Sequence, residues 1–260
     1  MRTVKINPKY EYLYDFVLCL PERMDNDGTY IYGGRRNLIK LFEAPDGTQL
    51  NVKRYQKPNL ISNIVYSTGL RSPKGRRAFK YPIILHERGI ETPEPVAYIE
   101  ERCYGLLGYS YFISLQCPYQ HRLYELGNAT EDVFAPMAKA LAAFAAHMHD
   151  CEVLHLDFSP GNVLWEKTTV HSPNTEEKYK YHFSIVDINR MRFGPVSMKD
   201  GCSSFVRLWG PKHFIELLTQ EYAQLRGFDT KAALSYTMDK RRLFWLRYQK
   251  KREIEFKLEL

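Results

Sequence analysis

The chain has 260 residues, 44% of them hydrophobic and 26% charged, which excludes intrinsic disorder and provides for one large domain or two lobes sharing a cleft. The net charge of +7, from 37 basic against 30 acidic residues, suits an anionic partner such as a nucleotide, a phosphorylated lipid or a membrane surface; nucleic acid has only this charge behind it and is not expected. The five cysteines, Cys19, Cys103, Cys117, Cys151 and Cys202, form no C-x-x-C pair, so neither a zinc site nor a disulfide framework is indicated, and reduced thiols in a cytoplasmic protein are the simplest account.

Met1 to Tyr10 is polar, and the longest apolar stretch, Met137 to Met148, is broken by Lys139 and His147, so neither a signal peptide nor a transmembrane helix is expected. Tyr30 to Tyr32 is a short β-prone run followed by Gly33, Gly34, Arg35 and Arg36. Asn37 to Glu43 resumes an apolar alternation, Pro45-Asp46-Gly47 signals a tight turn, and Gln49 to Tyr55 alternates again. This order describes a small antiparallel sheet. Ser72 to Arg88 reads as a helix despite Pro82, with Gly89 to end it. Val96 to Ile99 and Leu106 to Leu115 read as strands, and Cys117-Pro118 breaks the pattern. The boundary between an N-lobe, residues 1–116, and a C-lobe, residues 117–260, is placed there.

The second part is mainly helical. From Glu131 to Asp150, Phe134, Met137, Leu141, Phe144 or Ala145, and Met148 recur at spacings of three and four and describe one buried stripe, with Asn128 and Glu131 resembling a capping box. Two short strands follow, Val163 to Trp165 and Tyr179 to Val186, separated by a polar hairpin tip from Glu166 to Lys178. Pro211 to Leu225 and Thr230 to about Lys250 read as two further helices.

The residues that carry chemistry begin with Val153-Leu154-His155-Leu156-Asp157-Phe158-Ser159-Pro160-Gly161-Asn162, an H-x-D-x-x-x-x-N skeleton between a buried helix and an apolar strand. It resembles the catalytic loop of the protein-kinase superfamily, in which the Asp meets the attacking hydroxyl and the Asn oxygen ligates magnesium. Phe183-Ser184-Ile185-Val186-Asp187-Ile188-Asn189 is an apolar strand ending in an Asp, where that superfamily places the aspartate of its D-F-G segment. The glycine is replaced by Asn189, which implies a segment less prone to in/out switching, and no A-P-E motif follows. Leu50-Asn51-Val52-Lys53 resembles the strand whose lysine neutralises the α/β phosphates, with Lys53 and Asn51 on one face by period-two alternation. Gly33-Gly34-Arg35-Arg36-Asn37 lies where a phosphate-covering loop belongs, without a G-x-G-x-x-G. Gly33, Gly34, Arg35, Asn37, Lys53 and Gln116 make up the expected nucleotide-binding set. Taken singly these signals are weak: a lone H-x-D is more often a buried polar pair, and an Asp ending a strand is often a turn former. Their order and spacing together point to a kinase.

The chain is similar to the lipopolysaccharide core kinases, the Kdo/heptose kinase family. The likeness runs from about Tyr30 to Phe193 and is densest in Gly34-Arg35-Arg36-Asn37-Leu38-Ile39-Lys40, Asn51-Val52-Lys53-Arg54, Gly89-Ile90-Glu91-Thr92-Pro93-Glu94-Pro95-Val96-Ala97 and Val186-Asp187-Ile188-Asn189-Arg190-Met191-Arg192-Phe193. The resemblance implies an α+β, protein-kinase-like two-lobed fold, with a small antiparallel β-sheet and one helix in the N-lobe and a mainly helical C-lobe. It implies ATP and Mg2+ as cofactors, Lys53 on the phosphates, Asp157 as catalytic base, and Asn162 and Asp187 as metal ligands. The acceptor implied is an inner-core sugar on lipid A, so the protein would be cytoplasmic with peripheral contact at the inner membrane. The glutamate that pairs with the strand lysine in this superfamily does not carry over: Lys80 stands where it is expected, and Glu87 lies two turns further on. The basic end, Lys240-Arg241-Arg242, Arg247 and Lys250-Lys251-Arg252, interleaved with Leu243, Phe244, Trp245 and Tyr248, fits a membrane surface. It fits somewhat better an ordinary amphipathic terminal helix packed on the lobe. Three rivals remain: an aminoglycoside-type phosphotransferase, which shares H-x-D-x4-N; a protein Ser/Thr kinase, disfavoured by the missing A-P-E and the altered D-F-G; and a pseudokinase binding module.

Overall fold

Alternation along Gln49–Tyr55 sets the plan of the first part of the molecule: Leu50 and Val52 are fully buried on one face, and Asn51, Lys53 and Tyr55 lie on the other. The computed structural model describes the chain except residues 35–36, 60–61, 64–65, 67–71 and 171–177. The chain forms two compact units, Met1–Pro118 and Tyr119–Leu260.

In the first unit β1 (Arg2–Ile6), β2 (Thr29–Gly33), β3 (Asn37–Glu43), β4 (Gln49–Tyr55), β5 (Pro95–Cys103) and β6 (Leu106–Leu115) build one sheet in the order β1-β5-β6-β4-β3-β2. Every neighbouring pair is antiparallel. The register aligns Ile39, Lys53, Phe112 and Tyr98 in one row across four strands, and directly paired residues share a face. On the opposite face lies α1 (Tyr14–Arg23), whose Val17, Leu20 and the following Met24 pack against Phe42, Leu50, Val52, Ile99 and Ile113. Neither β1 nor α1 is evident from the sequence: β1 is a largely exposed polar strand, and Pro21 interrupts the short run of α1, where it sits in the last helical turn beside Leu20.

The second helix, α2 (Lys74–Glu87), lies on the Lys53 face: a Cβ on Gly75 would stand 2.6 Å from the Tyr98 ring. Arg76 of α2 bonds Glu100 of β5 at 3.3 Å, and Glu100 also accepts from Tyr98 at 2.5 Å and Arg102 at 2.6 Å. Burial works to raise the Glu100 carboxyl, but these donors and charges outweigh it and hold it below the usual carboxylate range. Helix and sheet are thus joined by an arginine of the helix and a glutamate of the sheet.

The second unit is built round α3 (Glu131–Asp150), whose buried stripe includes Phe134, Met137, Leu141, Ala145 and Met148. The helix starts at Thr130 rather than at the expected Asn128 cap. The Asn128 side-chain oxygen instead accepts from the Lys257 backbone N–H at 2.9 Å and so anchors the C-terminal tail. Strand β7 (His121–Arg122) pairs with β9 (Val163–Val170), which pairs with β10 (Lys178–Ile185); both long strands extend further into the hairpin than the sequence suggests. A separate short ladder joins β8 (Val153–His155) to β11 (Met191–Phe193).

Three helices complete this unit: α4 (Met198–Phe205), α5 (Lys212–Leu225) and α6 (Thr230–Tyr248). Ala233, Thr237, Arg241 and Trp245 recur every four residues and form the buried face of α6. The central part of the basic end is therefore a helix packed on its own unit: Arg241 is fully buried, whereas Lys240 and Arg242 are exposed. Among the described residues no helix is long and apolar enough to cross a membrane.

Candidate active site

In the first unit Gly33 ends β2 and Gly34 donates to the Asn37 backbone oxygen at 3.1 Å, closing the β2–β3 hairpin. Arg35 and Arg36, between them, lie outside the described residues. Asn37 pairs with Tyr55, two residues along β4 from Lys53, so Asn37 and Lys53 share a face about 7 Å apart along the strand direction. Lys53 is only 7% exposed, with its ammonium 5.3 Å from the Tyr55 ring centre. At the other end of β4, Asn51 donates to the Gln116 side chain at 2.8 Å, and the Gln116 backbone N–H donates to Gln49 at 2.9 Å. The sheet therefore gathers Asn37, Lys53, Asn51 and Gln116 along one strand. A cavity of about 380 Å³ opens beyond Tyr55 on the same face, lined by Asn37, Lys57, Ser62, Tyr66 and Lys74 among others; Lys53 is not part of its wall. Glu87 is exposed in the last turn of α2.

In the second unit a chain of hydrogen bonds joins the two motifs. His155 ends β8, 2% exposed. Its Nδ1 accepts from the Asp157 backbone N–H at 3.1 Å, so its Nε2 carries the proton and donates to the Val186 oxygen at 3.0 Å. A ring that must accept on one side and donate on the other is neutral, and burial also pushes its pKa down. The Val186 N–H in turn donates to the Asn162 backbone oxygen at 2.9 Å. Asn162 closes the loop, donating from Nδ2 to the Asp157 backbone oxygen at 2.9 Å, which turns its amide N–H to the loop rather than its Oδ1. His155 is thus a brace that fixes the Asp157 loop against the strand end bearing Asp187.

Asp187 has a left-handed backbone, φ 54°, a conformation Asp tolerates better than most residues. Asn189, 4% exposed, donates from Nδ2 to Asp187 Oδ1. Beside it Ile188 is 3% exposed. Where a glycine would let the segment turn, this chain has a buried amide that fixes the carboxylate.

Sequence reasoning missed two residues that contact Asp157 directly. Arg190 donates from Nη1 to Oδ2 at 3.3 Å, and Arg207 donates from Nη1 to Oδ1 at 2.7 Å. Arg190 lies in the densest stretch of family resemblance and was legible there. Arg207 follows α4 and has no motif of its own.

The donor set fits a magnesium ion. Asn162 Oδ1 and the Asp187 carboxylate are hard oxygen donors on segments joined by the Val186–Asn162 bond. Among the described residues no group of three His, Cys, Asp or Glu side chains could hold a metal by itself, so an ion here would draw its remaining ligands from phosphate and water.

No protein-family model matches the chain, and no curated protein matches it in sequence. Solved structures do. The structure of WaaP in complex with acyl carrier protein aligns over 94% of this chain and 99% of its own, with TM-score 0.61 and 14% identity. The Rio2 kinase from Chaetomium thermophilum aligns over 91% of this chain and 77% of its own, with TM-score 0.48 and 13% identity. Its ADP/Mg2+-phosphoaspartate complex aligns over 95% and 78%, with TM-score 0.49 and 13% identity. The chain has an α+β, protein-kinase-like fold.

Proposed function

We propose that the chain is an ATP- and Mg2+-dependent phosphotransferase that moves the γ-phosphoryl group to a sugar hydroxyl of the lipopolysaccharide inner core, Kdo or heptose on lipid A. The observation that carries this reading is the His155 brace. A buried neutral imidazole ties the Asp157 loop to the end of the strand that presents Asp187, with Asn162 bonded to both segments. A buried polar pair with no chemical task does not need an oxygen-donor set beside an unburied carboxylate; a base next to a metal site does.

Asp157 orients the acceptor hydroxyl and accepts its proton. Asn162 and Asp187 hold the magnesium, which when bound neutralises charge on the phosphates. Asn189 keeps the Asp187 carboxylate in one orientation. Lys53, held low on its sheet face, offsets the charge of the α/β phosphates. The glycine hairpin ending at Asn37 covers the nucleotide, and Asn51 with Gln116 is assigned to the base end. Positioning and electrostatics are most of what phosphoryl transfer requires of a protein, and these residues supply both. The family resemblance names the acceptor class and with it a site of action at the cytoplasmic face of the inner membrane.

The test is mass spectrometry of lipid A-core from cells lacking the protein. Loss of one phosphate from an inner-core sugar is the expected result, and an unchanged core overturns the acceptor. A thermal-shift measurement with ATP and Mg2+ separates an active nucleotide site from a binding module that has lost it.

A further inference from the structure

Asp157 carries one negative charge and is gripped by two guanidiniums, so these three side chains together carry one net positive charge. Arg190 and Arg207 each spend one Nη1 on it, at 3.3 and 2.7 Å, and their side chains remain 54% and 45% exposed. The Nε and Nη2 donors of both are left for another acceptor of hydrogen bonds. Resting on the phosphotransferase reading above, we infer that Arg190 and Arg207 form an anion-recognition pair that selects an acceptor with a carboxylate or phosphate beside the attacked hydroxyl.

Both arginines are placed by the fold. The Arg190 backbone oxygen accepts from the Leu156 N–H at 2.9 Å, immediately before Asp157, and the residue leads into the β11–β8 ladder. Arg207 is held more elaborately. The fully buried Arg241 donates to the backbone oxygens of Val206 at 3.4 Å, Leu208 at 2.6 Å and Gly210 at 3.1 Å. Trp245 Nε1 donates to the same Val206 oxygen at 3.1 Å. The backbone on both sides of Arg207 is therefore tied to a buried cation, and its guanidinium lies 5.6 Å from the Phe244 ring centre. A solvated surface arginine needs no such support; a guanidinium that must meet a ligand at a fixed angle does.

The chemistry discriminates among acceptors. An anionic group next to the reacting hydroxyl accepts charge-assisted, bidentate hydrogen bonds from the free edges of the two forks. A neutral sugar leaves those edges to water. A cationic acceptor such as an aminoglycoside meets two like charges at the base, which disfavours that class of substrate. Leu156, 49% exposed next to Asp157, offers an apolar contact for a ring face.

The experiment follows the Nε–H signals of Arg190 and Arg207 by NMR in the 260-residue chain, titrated separately with the sugar acid Kdo, glucose 6-phosphate, glucose and kanamycin. The expected result is movement of both signals with an anionic sugar and none with glucose or kanamycin. Response to Kdo alone identifies a carboxylate neighbour, response to glucose 6-phosphate alone a phosphate neighbour, and response to both the shared anion chemistry. No response to either anion, or an equal response to glucose, overturns the inference. Arg207→Gln weakens binding of the responsive sugar by about tenfold or more, the usual effect of removing a hydrogen bond to a charged group, and Arg207→Lys restores part of it. No phosphoryl transfer is needed for this readout. Failure of the kinase reading shows separately, as absence of ATP–Mg2+ binding in the same samples.

Discussion

Arg207 donates to Asp157 across 2.7 Å and fifty residues of sequence. The bond brings the segment after α4 to the loop that carries the proposed base. It also makes Asp157 a carboxylate with two cationic partners, and a change at this position separates chemistry from folding.

Asp157→Asn keeps an oxygen for one arginine and removes the proton acceptor. Turnover is expected to fall by about 10²–10⁴-fold, the range for a positioned base, while the thermal midpoint stays within about 3 °C. Steady-state ADP release and a thermal melt on the same preparation check both halves. Near-normal turnover would take the role of base away from Asp157.

Asp187→Ala removes the only carboxylate of the proposed metal pair and leaves the Asn189 amide without its acceptor. Magnesium-dependent ATP binding is expected to be lost by titration calorimetry. An affinity equal to that of the unaltered protein, in the same magnesium concentration, would count against the assignment.

Arg241 is a test of burial against surface charge. Burial pushes its pKa down to about 10, so it is charged at neutral pH and answered by three backbone oxygens and the Trp245 ring. Arg241→Met takes this donor from the Leu208 and Gly210 oxygens and leaves Val206 with Trp245 Nε1, and urea unfolding is expected to show a loss of about 2–4 kcal/mol. The exposed neighbour changed in the same way, Arg242→Met, is expected to fall within about 0.5 kcal/mol of the parent. Equal effects would mean that the buried bonds contribute nothing particular.

Acid stability is governed in part by His149. Burial, with Arg226 nearby, lowers its pKa to about 3; its Nδ1 faces the Tyr222 hydroxyl at 2.9 Å and its Nε2 has no partner. The folded state therefore binds this proton less readily than the unfolded chain, whose histidine titrates near 6.5. Stability contributed by the neutral ring is complete above that value and declines as pH falls toward 3. From pH 7.5 to pH 5 the loss is about 2 kcal/mol for this one group. The buried His155 acts in the same direction. Urea midpoints at the two pH values measure the loss, and a His149→Gln variant should show a shallower dependence.

The candidate residues of each unit are legible in the chain. Lys53, Asp157, Asn162 and Asp187 stand in an order and spacing that local rules explain: period-two alternation turns Lys53 away from Leu50 and Val52, and a five-residue loop separates the Asp and Asn of one motif. The stripe of α3 and the antiparallel strands Asn37–Glu43 and Gln49–Tyr55 were equally plain, because burial of one face writes itself into local periodicity. Such features depend on neighbours three, four or two residues away.

What the chain alone did not reveal depends on residues brought together from far apart. Arg241 sits in a run of cations that fits either a membrane surface or a packed helix, and only the packing of α6 against α4 and α5 shows that it is buried. Arg207 acquires a role through Asp157, Asn128 through Lys257, and Asn189 through the left-handed turn at Asp187. A charge is exposed or buried, paired or free, according to its surroundings in three dimensions. Sequence determined which groups could do the chemistry, and tertiary packing decided which others hold them in place.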